Sequence, residues 1–132
     1  MSRVRFILGA LVVGLFVGTI ACGGGGTEIR VGQSVTGTIT ASDTDDGEWK
    51  SQTYVIEVRE GIRYRFDLST STEDTVGIWN EERYGYIVEV NLIVGSRSGY
   101  QTFSETGPQK LYLQSPKYDV PSQFTFSVVQ EP

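Results

Sequence analysis

Between Ile29 and Gln130 the chain alternates apolar and polar residues in short runs, and no segment carries the three- to four-residue spacing of an amphipathic helix. In residues 62–68, Ile62, Tyr64, Phe66 and Leu68 alternate with Arg63, Arg65 and Asp67, the pattern of a strand buried on one face. Residues 52–58 set Tyr54, Ile56 and Val58 against Thr53, Val55 and Glu57. Glu60-Gly61 between these runs predicts a tight hairpin turn. Residues 34–39, 75–79, 86–94, 100–104, 109–114 and 124–129 also read as strands. Their apolar sets are Val76 and Ile78, then Val88, Val90 and Leu92, then Leu111 and Leu113, then Phe124, Phe126 and Val128. Clusters of Gly, Pro, Asp and Ser separate the runs. The pattern predicts an all-β fold, an antiparallel β-sandwich or jelly roll of about eight strands. Alternation alone does not give the order in which the strands pair.

The first 21 residues have a different character. Met1–Arg5 is short and basic, and the 16 residues from Phe6 to Ala21 are apolar or small. That run is short for a spanning helix, which needs about 20 residues, and it fits the apolar region of a signal peptide. It ends at Thr19-Ile20-Ala21-Cys22, followed by Gly23–Gly26. This segment resembles the lipobox of bacterial lipoproteins, with Thr19 where that family usually carries Leu. The resemblance implies cleavage before Cys22, a diacylglyceryl thioether on its sulfur and an acylated α-amine. Several acyl chains anchor stably where one does not. The domain organisation read from the sequence is a signal peptide at 1–21, a lipidated cysteine and Gly-rich tether at 22–28, and one β-sandwich domain at 29–132. Gly23 in place of Asp resembles the sorting pattern of an outer-membrane lipoprotein, if the cell is Gram-negative.

Charge and composition narrow the function. The sequence has 11 basic and 16 acidic side chains. Removing the leader takes away Arg3 and Arg5, leaving nine basic against sixteen acidic side chains and a net charge of −7. A surface of that sign repels phosphate backbones, so nucleic acid is not an expected partner. It also gives no pull toward anionic head groups, so membrane attachment falls to the lipid on Cys22. Cys22 is the only cysteine, which rules out a disulfide within the chain. There is no histidine, the commonest general base and metal ligand. No nucleophile elbow surrounds Ser96, Ser98 or Ser104, and no glycine-rich phosphate loop precedes a helix. Glu81 and Glu82 are adjacent, so on a strand they point to opposite faces and make a poor glycosidase pair. The expectation is a protein that is not an enzyme.

Four segments, in order, resemble the bacterial pre-peptidase C-terminal domain. They are the opening strand Val31–Ile39, Ser42-Asp43 followed by Tyr54–Val58, the run Glu60–Phe66, and the closing pair Phe103–Leu113 and Phe124–Val128. The likeness spans residues 29–130. Two segments depart from the family pattern: residues 45–51 are an insertion, and residues 79–86 replace a simpler strand and turn. The resemblance implies a β-sandwich accessory module without catalysis.

Two clusters are candidate sites. Asp43, Asp45, Asp46 and Glu48 place four carboxylates within six residues, around Gly47. Calcium takes six to eight oxygen ligands, so such a loop would hold a structural calcium; an acidic solvated turn has the same composition. Trp79, Tyr84 and Tyr86, flanked by Asn80, Glu81, Glu82 and Arg83, would make an amphipathic ligand-binding platform. Trp49 and Tyr100 are further aromatics near strand ends. The alternative is that Trp79 packs in the core and the tyrosines line sheet edges. The expected partners are the membrane, through Cys22, and an envelope protein or polysaccharide. The leading reading is a non-catalytic interaction or structural module of the cell envelope; the other is a carbohydrate-binding lipoprotein.

Overall fold

The computed structural model describes residues 26–70, 75–91 and 95–132. The leader and Cys22 lie outside the described residues. Among the described residues there are ten strands: β1 (Thr27–Ile29), β2 (Ser34–Ile39), β3 (Thr44–Asp46), β4 (Trp49–Val58), β5 (Arg63–Ser69), β6 (Val76–Asn80), β7 (Gly85–Val90), β8 (Ser96–Thr102), β9 (Gly107–Pro116) and β10 (Ser122–Gln130). A 3-10 turn, Lys117–Asp119, links the last two. No helix among the described residues is long and apolar enough to cross a membrane.

The strands form two sheets. One has six strands in the order β1-β4-β9-β6-β7, with β3 also pairing with β4; the other has the order β2-β10-β5-β8. β1 runs parallel to β4, whereas the other pairings are antiparallel. The alternating residues meet between the sheets. Tyr64, Phe66 and Leu68 of β5, Ile56 and Val58 of β4, Leu111 and Leu113 of β9, and Phe124, Phe126 and Val128 of β10 are all buried. Each large apolar side chain buried this way contributes about 1.5–3 kcal/mol relative to exposure. The Tyr54 ring of β4 stands edge-on to Phe126 and Phe124 of β10, with centroids 5.1 and 6.4 Å away.

A polar chain ties the sheets at the same end. Tyr54 donates its hydroxyl to Gln52 Oε1 (2.9 Å), and Gln52 Nε2 donates to the Thr38 carbonyl of β2 (2.8 Å) and to Asp43 Oδ2 (2.9 Å). Burial, and then the nearby Asp43 charge, push the Tyr54 phenol up to about 12.

The strand count and one turn depart from the sequence expectation. There are ten strands where about eight were expected. The two additional strands, β1 and β3, have three residues each, too few to display an alternation. β1 takes in Thr27 and Glu28, which the sequence reading placed in the tether. Glu60-Gly61 is not a hairpin turn: β4 and β5 belong to different sheets, and this turn carries the chain across the sandwich. Both strands present an inward apolar face, and alternation does not reveal whether two such faces belong to one sheet or to two facing sheets. The run expected at residues 86–94 is a strand from Gly85 to Val90, with residues 92–94 outside the described residues.

Candidate functional site: an aromatic face on the six-stranded sheet

The outward positions of the six-stranded sheet follow from its register. Thr53 of β4 lies opposite Tyr112 of β9, Tyr112 opposite Trp79 of β6, and Trp79 opposite Tyr86 of β7. The row one step along the strands is Ser51, Gln114, Gly77 and Glu89. Two irregularities turn the first row into a cluster of rings.

The first is a bulge. The β6–β7 register shifts between Ile78, opposite Val88, and Trp79, opposite Tyr86, leaving Ile87 as the extra residue. Strict alternation would send Tyr86 to the same side as Val88. The bulge sends Tyr86 outward beside Trp79 while Val88 and Val90 stay buried. Gly77 supplies the space: a Cβ there would lie 2.7 Å from two carbons of the Tyr86 ring. The ring lies over this bare backbone, and its hydroxyl donates to Gln114 Oε1 (2.9 Å).

The second is the β6–β7 turn. Asn80 is buried and braces it: its Oδ1 accepts from the Arg83 amide (3.2 Å), and its Nδ2 donates to the Lys110 carbonyl (3.0 Å). The Tyr84 amide donates to the carbonyls of Asn80 (2.9 Å) and Glu81 (3.0 Å). Tyr84 sits at φ +56°, a left-handed conformation that a bulky residue seldom adopts. The residue is 86% exposed, yet its ring centroid remains 6.0 Å from that of Trp79, at 65° between planes. Trp79 also meets Tyr112 at 5.9 Å and 58°, and Trp49 meets Tyr86 at 6.0 Å and 59°. Trp79 and Tyr84 meet edge to face, an arrangement their quadrupoles favour, the other two pairs are tilted, and the rings form no coplanar strip.

Carboxylates surround the rings. Glu81 Oε2 is 3.5 Å from the Tyr112 hydroxyl. Burial raises the Tyr112 phenol, with Glu81 and Asp46 adding to the effect. Burial also pushes Tyr86 up to about 12, with Glu89 and Asp46 contributing. Among the described residues, the ion pairs engage Asp45, Asp67 and Glu131, and none engages Asp46, Glu81 or Glu89. Arg83, the arginine of the same turn, points away and donates to the Tyr100 carbonyl (3.2 Å) and Gln101 Oε1 (2.8 Å) on the other sheet. Lys110, exposed, is two residues from Tyr112 along β9 and shares its outward side.

The platform residues Trp79, Tyr84 and Tyr86 therefore share one face, with Trp49 beside them, and none of the three is buried in the core. Tyr100 is elsewhere, on β8 of the four-stranded sheet, with the Arg63 guanidinium 4.3 Å above its ring. Tyr112 and Glu89 were not among the sequence candidates. Each falls out of phase with the buried residues beside it, Leu111 and Leu113 or Val88 and Val90, and that offset is the signal that marks an outward position.

The structure does not gather the four candidate calcium ligands. Asp43 Oδ2 accepts from the Thr40 amide (2.8 Å) and Gln52, closing a turn. Asp45 pairs with Lys117 (3.0 Å) and Lys50 (3.7 Å), and the Lys117 contact holds its carboxyl below the usual range. Asp46 stands across β3–β4 from Trp49, and Glu48 is exposed in the turn between these strands. Among the described residues no three acidic or other metal-binding side chains converge on one point. Glu81 and Glu82 also diverge: Glu81 faces Tyr112, while Glu82 accepts from the Ser104 amide (2.9 Å).

No protein-family model matches the sequence, and no curated protein matches it. Solved structures do share its fold. The chain is similar to the pre-peptidase C-terminal domain of a collagenase from Bacillus anthracis, with TM-score 0.50 and 13% identity over 76% of this chain and 91% of that one. It is also similar to PliG from Aeromonas hydrophila, a periplasmic inhibitor of g-type lysozyme, with TM-score 0.52 and 9% identity over 80% and 96% of the two chains. At these identities the likeness is one of fold, and the all-β sandwich expected from the sequence is the fold found.

Proposed function

We propose that this protein is an exported, lipid-anchored domain that acts by contact and not by catalysis, and that the aromatic face of the six-stranded sheet is where an envelope partner docks. The observation that carries the reading is the Trp79–Tyr84–Tyr112 cluster with Trp49 and Tyr86. Five aromatic side chains lie on the outside of a sheet whose core is complete without them, and Tyr84 is held out at a left-handed backbone position. Aromatic side chains dominate the binding energy of protein interfaces because they bury a large area at small entropic cost. One structural neighbour is named as a periplasmic inhibitor of an enzyme, g-type lysozyme. The leader and Cys22 supply the export and anchoring part of the reading.

The test is a photocrosslinking residue placed at position 84 in intact cells, with position 36 on the outer side of the other sheet as control. Capture of one defined partner from position 84 and not from 36 is expected; equal capture from both, or none from 84, overturns the reading.

Exposed Tyr84 also favours a second reading, a carbohydrate-binding lipoprotein. With planes tilted by 58–65° around Trp79, the face offers one stacking ring instead of a row. Saturable retention on peptidoglycan or insoluble polysaccharide, lost in Tyr84→Ala, would select it.

A further inference from the structure

The two outer faces of the sandwich treat aromatic rings and carboxylates in opposite ways. On the four-stranded sheet the chain supplies its own cations. Arg63 caps the Tyr100 ring at 4.3 Å. Arg65 pairs with Asp67 at 3.0 Å and with Glu131 at 3.2 Å. Asp67 also accepts from the Ser98 hydroxyl, so the shallow depression between β5, β8 and β10 has its carboxylate fully engaged. On the six-stranded sheet the same ingredients appear without the arginines. Asp46, Glu81 and Glu89 border the cluster of Trp49, Trp79, Tyr84, Tyr86 and Tyr112 and enter no ion pair among the described residues. The single arginine in reach along the chain, Arg83, is committed to the opposite sheet, and Lys110 leaves the face net negative.

We propose that the cations that balance this face come from the partner: the aromatic face takes a basic segment of another protein, whose Arg or Lys side chains lie against the outer faces of the Tyr84, Trp79 and Tyr112 rings and are held by Glu81, Asp46 and Glu89. This rests on the reading of the face as a docking surface and names the chemistry of what docks there. Ring faces attract guanidinium and ammonium groups, most strongly at Trp and Tyr. Carboxylates at the rim add directional hydrogen bonds, and the net charge of −7 after leader removal steers a basic partner toward the surface. The tilted rings fit this occupant better than a glycan, because a cation needs one ring face with a nearby carboxylate, whereas sugar stacking along a chain needs successive parallel faces.

Both tryptophans of the protein, Trp49 and Trp79, belong to this face, so their fluorescence reports on it alone. The experiment titrates the full-length protein, purified in detergent, with a hexa-arginine peptide, using hexaglutamate as control. A saturable change with the basic peptide alone is expected, weakened as salt shortens the screening length. Glu81→Gln and Asp46→Asn, both at exposed positions, should each weaken binding about two- to fivefold, and so should Tyr84→Ala. An absent or unsaturable response overturns the inference, as does one matched by hexaglutamate or unmoved by the charge substitutions. A response to an oligomer of free-amine glucosamine, with none to the peptide, overturns the assignment to a protein. If position 84 still crosslinks a partner that hexa-arginine does not displace, the docking reading stands and the basic-segment inference falls. If neither crosslink nor titration responds, both fall.

Discussion

Tyr84 shows how a single residue works against its own backbone. A left-handed conformation costs an ordinary L-residue about 1–2 kcal/mol, and the edge-to-face contact with Trp79 returns about 0.5–1.5 kcal/mol. Tyr84→Gly relieves the first and removes the second, so its stability in urea unfolding should stay within about 1 kcal/mol of the parent. Near-neutral Tyr84→Gly would show that the fold gains little from this ring, which agrees with the proposal that it contacts a partner. Tyr54 and Tyr86 allow a second check at this scale, since each is pushed from 10.0 up to about 12, mainly by burial. Below pH 10 both phenols keep their protons whether the chain is folded or not. Between about pH 10 and 12 the unfolded chain releases them while the folded chain does not, so stability falls as pH rises through that window. Absorbance titration should show late-ionising tyrosinate that diminishes by one group in Tyr54→Phe and by one in Tyr86→Phe. The inward residues were readable because a buried strand repeats with a period of two. Trp79 and Tyr84 were readable only as aromatics near a turn, since exposure depends on what the neighbouring strands cover.

At the scale of elements, the long strands were legible and the topology was not. β4, β5, β9 and β10 carry enough alternating positions to declare themselves, whereas β1 and β3 are three residues long and β3 is entirely exposed. The crossing of the Glu60-Gly61 turn from one sheet to the other and the bulge at Ile87 both depend on contacts distant in sequence. Both segments that depart from the pre-peptidase C-terminal pattern border the aromatic face. Residues 45–51 include the β3–β4 turn with Asp46 and Trp49, and residues 79–86 include the β6–β7 turn with Trp79, Glu81, Tyr84 and Tyr86. The proposed site is thus concentrated at two turns of the six-stranded sheet, as expected when loops carry recognition on a rigid scaffold. One element contact is tight enough to test directly. A Cβ on Gly99 of β8 would fall on the Ile87 backbone carbonyl, which has no freedom to yield. Gly99→Ala should cost about 1–3 kcal/mol or more in chemical denaturation, whereas Gly47→Ala, in open space at φ +71°, should cost about 1 kcal/mol from backbone conformation alone.

For the molecule as a whole, the proposed anchor governs where the aromatic face is presented. Four residue steps separate Cys22 from Gly26, which packs against Thr53 and Val55 at the edge of the six-stranded sheet. Fully extended, they reach at most about 14 Å, and strand spacing places β7 about 19 Å across the sheet from β1. Cys22→Ser should shift the protein from the membrane to the soluble fraction on cell fractionation; unchanged partitioning would argue for another means of attachment. The parallel pairing of β1 with β4 has a mechanical side as well. With the chain anchored at Cys22 as proposed, a tug between bilayer and docked partner would travel through Thr27–Ile29, one of the shortest of the described strands, before it reached the core. Peeling that strand would free the chain as far as Gly32, whose amide donates to the Val128 carbonyl of β10 (2.7 Å), paying out about six further residues of line, roughly 20 Å. The pairings of the other strands do not pass through β1, so on the proposed anchor it would act as a slack-giving catch between the lipid and the domain.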